Sequence, residues 1–426
     1  MAVDRIAAVH RPSRLVGAGQ WAVYHLFSLE TLLVLFLYGR YLKNIMPATP
    51  VTETLFYGAL SVAVGIWLVL RDGIYRRGVP IVVAGLVFSG WMFAAYGWSP
   101  STTLARENLV FILGINLWAL VVGACIVAGS RERVVRLLQL IAMATTVVAF
   151  SGAYIEIVHG SFRFYRGPAE DWDPRTYLTW GYITAIAAHA RLARLEQLLA
   201  ALVLGVSFFF VMTSGARGPA LAIVVAGLLA FFVAAPQVRD GRIEVAKTQL
   251  VLLALIVLLL GYVAYLLTTG QSTSTLGRFL RLFDEADDPL LRRGPNRFDY
   301  FAGAYRAWLE QPLFGQGLYG FSTFFCGRDA SGCYPHNAFL HVLADFGAIG
   351  RGLFLIFLYA GMRHLRLERL RRDPLMFTLA MAFTTVLFHV MVASDTSIHY
   401  PLFFFLGLLA MREPSIETDE VTDDET

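Results

Sequence analysis

Long apolar runs dominate this chain and restrict what it can become. A helix that crosses a bilayer needs about 20 mainly apolar residues. About twelve stretches meet that need, centred near residues 21–39, 54–70, 79–97, 108–129, 134–158, 177–191, 195–213, 219–235, 249–269, 338–361, 375–394 and 397–411. With 57% hydrophobic and 15% charged residues, the sequence is far more apolar than a soluble domain. The expected fold is an all-α polytopic membrane protein. The first run is too long, and too poorly followed by small residues, for a cleaved secretory signal, so it is expected to stay.

Basic residues in short loops set the orientation. With the N-terminus inside, the inner loops collect Arg5, Arg11, Arg14, Arg71, Arg76, Arg77, Arg131, Arg133 and Arg136. They also hold Arg191, Arg194, Arg239, Arg242 and Lys247, and finally Arg363, Arg366, Arg369, Arg371 and Arg372. The short outer loops hold Arg40, Lys43, Arg106, Arg163, Arg166, Arg175 and Arg217. About nineteen basic groups against seven predict that both termini are inside. The resulting plan places nine spans in residues 1–269, a large outer loop over 270–337, three spans in 338–412 and an acidic inner tail over 413–426. That short tail has no aromatic residue, and its composition is that of a disordered segment.

The formal charge of +4 follows from inner-loop anchoring and, with no nucleic-acid motif present, does not point to nucleic acid. No His/Cys spacing suits zinc. Cys125 falls in a span and reads as a small buried hydrophobe. Cys326 and Cys333 share the outer loop, where an oxidising compartment would permit a disulfide. No internal repeat stands out.

Water-facing chemistry concentrates between Arg297 and Gly350. His336 follows Pro335 and precedes an apolar run, which predicts a histidine capping a helix N-terminus with its free amide donors. The plainer account is a loop histidine bonded to backbone. Arg217 stands in the tight turn Thr213-Ser-Gly-Ala-Arg-Gly-Pro219, where small neighbours would let a bulky anion approach. An arginine snorkelling to headgroups explains the same residue. Arg297 opens a run to Leu309 with Phe298, Phe301, Tyr305 and Trp308 at helical spacing, an amphipathic helix that could lie along the membrane. The alternative is a solvated face, which fits Arg306 better than Arg297. A second outer segment, from His159 to Leu178, mixes aromatics with Arg163, Arg166 and Arg175. It suits a sugar, but an interfacial aromatic belt has the same composition.

Asp284, Glu285, Asp287 and Asp288 could hold a divalent cation, although loop acids without a ligand are the simpler reading. Among charged groups within spans, Glu30, Asp345 and Asp395 need partners. His341 and Asp345 are four residues apart and share a helix face, as a structural pair would. Asp395, with His399, is a candidate to line the site from the outer end of its span.

Four pieces of the chain resemble the O-antigen ligase and polymerase superfamily of bacterial envelope glycosyltransferases. They are the Arg217 turn, Asn296-Arg297 with Trp308, Gln311-Pro-Leu-Phe-Gly-Gln-Gly-Leu-Tyr-Gly-Phe321, and the block from His336 to Gly350. The last is fairly specific; Pro-Leu-Phe-Gly alone is weak. Asp345 stands where a glutamate is common in that family. The resemblance implies a membrane-embedded glycosyltransferase fold whose large periplasmic loop forms part of the active site. It implies a bacterial inner-membrane location and a glycan donor on undecaprenyl diphosphate, with no metal and no cofactor. It carries catalytic importance onto Arg217, Arg297 and His336, and supports Arg163 and Arg166 less firmly.

On that footing the expected activity is that of an O-antigen ligase, which moves polysaccharide onto a sugar hydroxyl of lipid A–core with inversion. The alternatives within the superfamily are a polymerase, whose acceptor is another lipid-linked repeat, and a protein O-glycosylating enzyme. Of a different class is a lipid-linked-sugar transporter, which would place ionisable groups near the bilayer midplane in paired halves. A non-catalytic scaffold would leave the histidine-opened helix unexplained.

Overall fold

The computed structural model describes residues 28–45, 53–159, 297–330, 332–393 and 399–413, together with short pieces between 222 and 261. The described part is helical. Its helices are α1 (Leu29–Ile45), α2 (Glu53–Asp72), α3 (Val79–Ala95), α4 (Leu104–Val127), α5 (Arg131–His159), α6 (Arg297–Glu310), α7 (Gly320–Cys326), α8 (Ala338–Met362), α9 (Leu367–Arg372), α10 (Pro374–Ala393) and α11 (Tyr400–Leu408). One small antiparallel hairpin, β1 (Gln237–Arg239) with β2 (Arg242–Glu244), accompanies the helices.

Five of these segments are long and apolar enough to cross a bilayer: Leu55–Asp72, Arg76–Trp98, Leu104–Val127, Ala338–Met362 and Pro374–Val392. The expected spans at 177–191 and 195–213, and all but Gly261 of the one at 249–269, lie outside the described residues. The span expected over 397–411 is a helix of nine residues. At 1.5 Å per residue that is about 14 Å, under half the hydrocarbon thickness. It survives because every one of its residues is buried, so protein rather than lipid surrounds it.

Aromatic rings make the core. Phe88 of α3 meets Phe346, Phe354 and Phe357 of α8 at centroid distances of 6.4, 5.3 and 6.1 Å. Phe357 in turn packs on Phe403 of α11 at 4.9 Å. α11 also lies against α4.

Polar contacts gather at the two ends of α3. At one end, Arg133 pairs with Asp72 at 2.9 Å and Arg131 with Asp373 at 2.6 Å. Arg136 pairs with buried Glu30 at 3.1 Å, and Arg77 with Glu413 at 3.1 Å. These are the arginines that the sequence assigns to inner loops, and they share one face. Glu30, a carboxylate expected to need a partner, has one in Arg136. At the other end, Ser101 donates to Asp329 at 2.8 Å, and Trp98 Nε1 donates to the Gly315 carbonyl at 3.2 Å. α3 is 17 residues long, so the two faces stand about 25 Å apart.

Candidate active site

The site is built around a break in α8. Gly347 has φ 66° and ψ −167°, a conformation open essentially to glycine alone. A straight helix would hold Phe339 and Phe354 about 22 Å apart. Their rings are 5.8 Å apart, so the two halves bend towards each other at Gly347. The span expected over 338–361 is therefore two helical pieces, 338–346 and 348–362.

A break inside an apolar helix strands backbone groups that lipid cannot satisfy. Here the loop between α6 and α7 satisfies them. The Ala348 and Ile349 amides donate to the Pro312 and Leu313 carbonyls at 2.8 and 3.3 Å. The Gln316 and Gly317 amides donate to the Ala344 and Asp345 carbonyls at 2.9 and 2.8 Å. Trp91 Nε1 donates to the Phe346 carbonyl at 3.1 Å. The Pro-Leu-Phe-Gly stretch, a weak signal in sequence, is thus the brace of the broken helix. A Cβ on Gly347 would meet the Leu313 carbonyl oxygen at 2.2 Å, and one on Gly315 would meet Asp345 backbone at 2.5 Å.

Asp345 ties the same loop from within. It is fully buried, and its carboxylate accepts the Tyr319 and Phe321 amides at 3.0 and 2.9 Å. Its other contact is His341 Nε2 at 3.1 Å, the i, i+4 pair expected from the spacing. Two amide donors and an imidazole account for this intramembrane acid without a ligand.

His336 sits just before α8, but it does not cap the helix. The cap is Asn337, whose side-chain oxygen accepts the Leu340 amide at 3.1 Å. Asparagine has the short carbonyl reach that a cap requires, and imidazole does not. His336 instead occupies the left-handed region at φ 53°, which turns its ring away from the helix line. The ring is half-buried between Tyr334 (4.2 Å) and Tyr300 of α6, which meets it edge-on at 5.6 Å. Burial, then the charges of Arg297 and His341, push its pKa down to about 4. At neutral pH the imidazole is therefore uncharged and has a free lone pair.

Arg297 is the first residue of α6 and lies near enough for its charge to act on His336. It is exposed to solvent. Partial desolvation lowers its pKa from the ordinary value and Tyr334 opposes this, but a guanidinium remains a cation at any working pH. α6 is anchored on α8 through Ala304, Ala307 and Ala344, with Phe321 and Cys333 in the same buried cluster. The apolar residues read from the sequence are not the packed side of α6: Phe298 and Tyr305 are exposed and Phe301 and Trp308 half-buried, whereas Gly303, Ala304 and Ala307 are buried. The structure thus brings together His336 and Arg297. Arg217, Arg163, Arg166, Arg175 and Asp395 lie outside the described residues, as do Asp284, Glu285, Asp287 and Asp288. His399 is buried, with its ring 5.8 Å from that of His389. Among the described residues, no three of His, Cys, Asp or Glu gather as metal ligands.

Cys326 and Cys333 form a disulfide that closes the segment leading to His336. A loop of this size adds about 2–3 kcal/mol in the chain-entropy picture. Replacing both cysteines with serine is expected to lower the melting temperature by several degrees. It should also lower turnover more than donor affinity, because Tyr334 and His336 lose a fixed approach. Unchanged melting and turnover would show that the bridge holds nothing in place.

Sequence reasoning overlooked Arg351, one turn beyond the break. It is half-buried, its guanidinium lies 5.8 Å from the centre of the Phe339 ring, and no carboxylate pairs with it among the described residues. A lone arginine in an apolar run was the available signal.

The family model described as O-antigen ligase (Wzy_C) matches residues 200–355. This chain is similar to the O-antigen ligases. The matched stretch takes in Arg217, Arg297, the bracing loop, His336 and the break at Gly347. No curated protein matches the chain. Members of the O-antigen ligase family are glycosyltransferase-type enzymes. Among the described residues, five helical segments are long and apolar enough to cross a membrane.

Proposed function

We propose that this chain is an O-antigen ligase that transfers polysaccharide from undecaprenyl diphosphate to a sugar hydroxyl of lipid A–core, with inversion and without a metal. The observation that carries this reading is His336, half-buried against Tyr334 and Tyr300 with Arg297 close by, at the mouth of a broken helix. The face that holds His336 is taken as periplasmic, because the opposite face holds the arginines of the inner loops. The loop over 270–337 would then present both residues to a donor arriving in the outer leaflet.

In the proposed step, the acceptor hydroxyl oxygen attacks the anomeric carbon while its proton passes to an imidazole nitrogen of His336. The bond from the anomeric carbon to the diphosphate oxygen breaks, and its electrons leave with undecaprenyl diphosphate. Arg297 and Arg217 are assigned to that diphosphate, since a guanidinium fork pairs with two phosphate oxygens and stays charged. Attack opposite the leaving group inverts the centre.

A base with a pKa of about 4 is weak at neutral pH. Donor binding corrects this. The diphosphate neutralises Arg297 and adds negative charge beside the ring, and both changes raise the imidazole pKa. The base is thus neutral while it waits and gains strength when the donor is in place.

The free enzyme carries the low value, so kcat/KM reports it. The neutral form is the active one. Activity is therefore expected to rise with pH through about 4 and to be level by about pH 6. In Arg297→Gln the residual activity should show this acid limb at higher pH, because one of the depressing charges is gone. A limb that stays in place in the variant would separate Arg297 from His336.

The function itself is tested with purified protein, undecaprenyl-diphosphate-linked polysaccharide and lipid A–core, in the presence of EDTA. A lipopolysaccharide ladder is the expected product. Longer lipid-linked chains without a ladder would make the protein a polymerase, and no glycosidic product would favour a transporter. Activity lost to EDTA and restored by magnesium would return attention to Asp284, Glu285, Asp287 and Asp288.

A further inference from the structure

On the face opposite His336, the ends of α2 and α4 and the start of α5 enclose a cavity of about 570 Å³. Arg71, Arg133, Arg136 and Arg412 line it, against the carboxylates of Asp72 and Glu132. Asp72 takes up Arg71 at 2.6 Å and Arg133 at 2.9 Å. Glu132 meets Arg136 at 3.3 Å, and buried Glu30 stands behind Arg136 at 3.1 Å. Among the described residues, four guanidinium groups thus face three carboxylates, which leaves one positive charge in excess. The guanidinium of Arg412 is the one with no carboxylate against it among the described residues.

The cavity borders an apolar stripe on α2. Ile66, Trp67 and Leu70 share one helix face and are 53%, 55% and 82% exposed. Trp67 also receives the Arg71 guanidinium over its ring at 4.6 Å. An indole beneath an arginine marks the level where headgroups meet acyl chains. One phosphodiester, with a single negative charge, would balance the excess. Acyl chains attached to it would cover the stripe.

We propose that this cavity binds the headgroup of an anionic phospholipid, with Arg412 and Arg71 as its phosphate contacts and the chains along Ile66, Trp67 and Leu70. Basic pockets between membrane helices are suited to such headgroups. The site stands at the other end of α3 from His336, so it is independent of the transfer reaction.

Native mass spectrometry of the detergent-purified protein tests this with phosphatidylglycerol, phosphatidylcholine and inorganic phosphate as probes. Wild-type protein is expected to retain phosphatidylglycerol in preference to phosphatidylcholine. Each arginine near a headgroup adds about 1 kcal/mol, which is about 5-fold in affinity. Arg412→Gln should therefore bind phosphatidylglycerol about 5-fold more weakly, and Arg412→Gln with Arg71→Gln about 25-fold. Arg412→Lys keeps the charge and should keep most of the binding. If Arg412→Gln does not fold, Arg71→Gln alone carries the comparison. Equal retention of the two lipids, or retention unchanged in the glutamine variants, overturns the proposal. Displacement of phosphatidylglycerol by an equal concentration of inorganic phosphate overturns the lipid assignment, since a free anion would then suffice.

Discussion

His336→Asn is expected to abolish glycan transfer, by at least 100-fold, in a protein that still folds in the membrane. General-base assistance is commonly worth 10²–10⁴-fold, and among the described residues no second imidazole is positioned to replace it. His341 is buried and committed to Asp345 at 3.1 Å. Asparagine is the informative substitution because position 336 lies at φ 53°. Asn tolerates the left-handed region about as well as His does, whereas Ala carries a backbone cost. His336→Ala should also be inactive, and any fall in its melting temperature beyond that of His336→Asn measures the backbone term. Turnover near the wild-type rate in His336→Asn, measured by ladder formation, would end the assignment of His336 as the base. Loss of donor affinity with turnover retained at saturation would make it a phosphate ligand instead.

Gly347→Ala is expected to cost several kcal/mol and to remove activity with stability. Two causes act together. The φ/ψ pair at 347 is a region that carries about 1–3 kcal/mol of strain for any residue with a Cβ. That Cβ would also arrive 2.2 Å from the Leu313 carbonyl oxygen and 2.6 Å from the Phe314 nitrogen. Neither neighbour is a flexible side-chain tip, so the loop must move as a whole. Moving it uncouples the four backbone hydrogen bonds that seal the break and shifts the amides that hold Asp345. Yield and thermal melting of the purified variant check this. A variant that melts like wild type would mean the bend does not depend on the glycine. Gly352→Ala, with nothing near its Cβ, serves as the control and should be mild.

The membrane class was legible because hydrophobic runs of bilayer length have few other uses, and α2, α3, α4 and α10 fall close to where those runs lie. The gathering of Arg77, Arg131, Arg133 and Arg136 on one face was legible for the same reason, since short loops must emerge at helix ends. The pairing of His341 with Asp345 followed from helix periodicity. What periodicity could not supply was the break at Gly347, because an apolar run reads the same whether it is straight or folded on itself. Nor could it reveal that the Pro312–Gly317 segment fills that break, a contact between residues 30 apart made through backbone atoms that carry no side-chain signature. The cap was misread for a related reason: His336 and Asn337 are adjacent, and only the left-handed turn at His336 decides which of them faces the helix amides. Arg351 carried no stronger signal than a single arginine in an apolar run, which a snorkelling arginine produces equally well.

The brace has a consequence for inheritance. Gly315 and Gly347 are each hemmed in by the backbone of the other's segment. A change at either position therefore requires a compensating shift in a partner some thirty residues away, and drift at one alone should be purged. Among relatives that share this architecture, the two positions should vary as a linked pair or not at all, whatever sugars those enzymes have come to join.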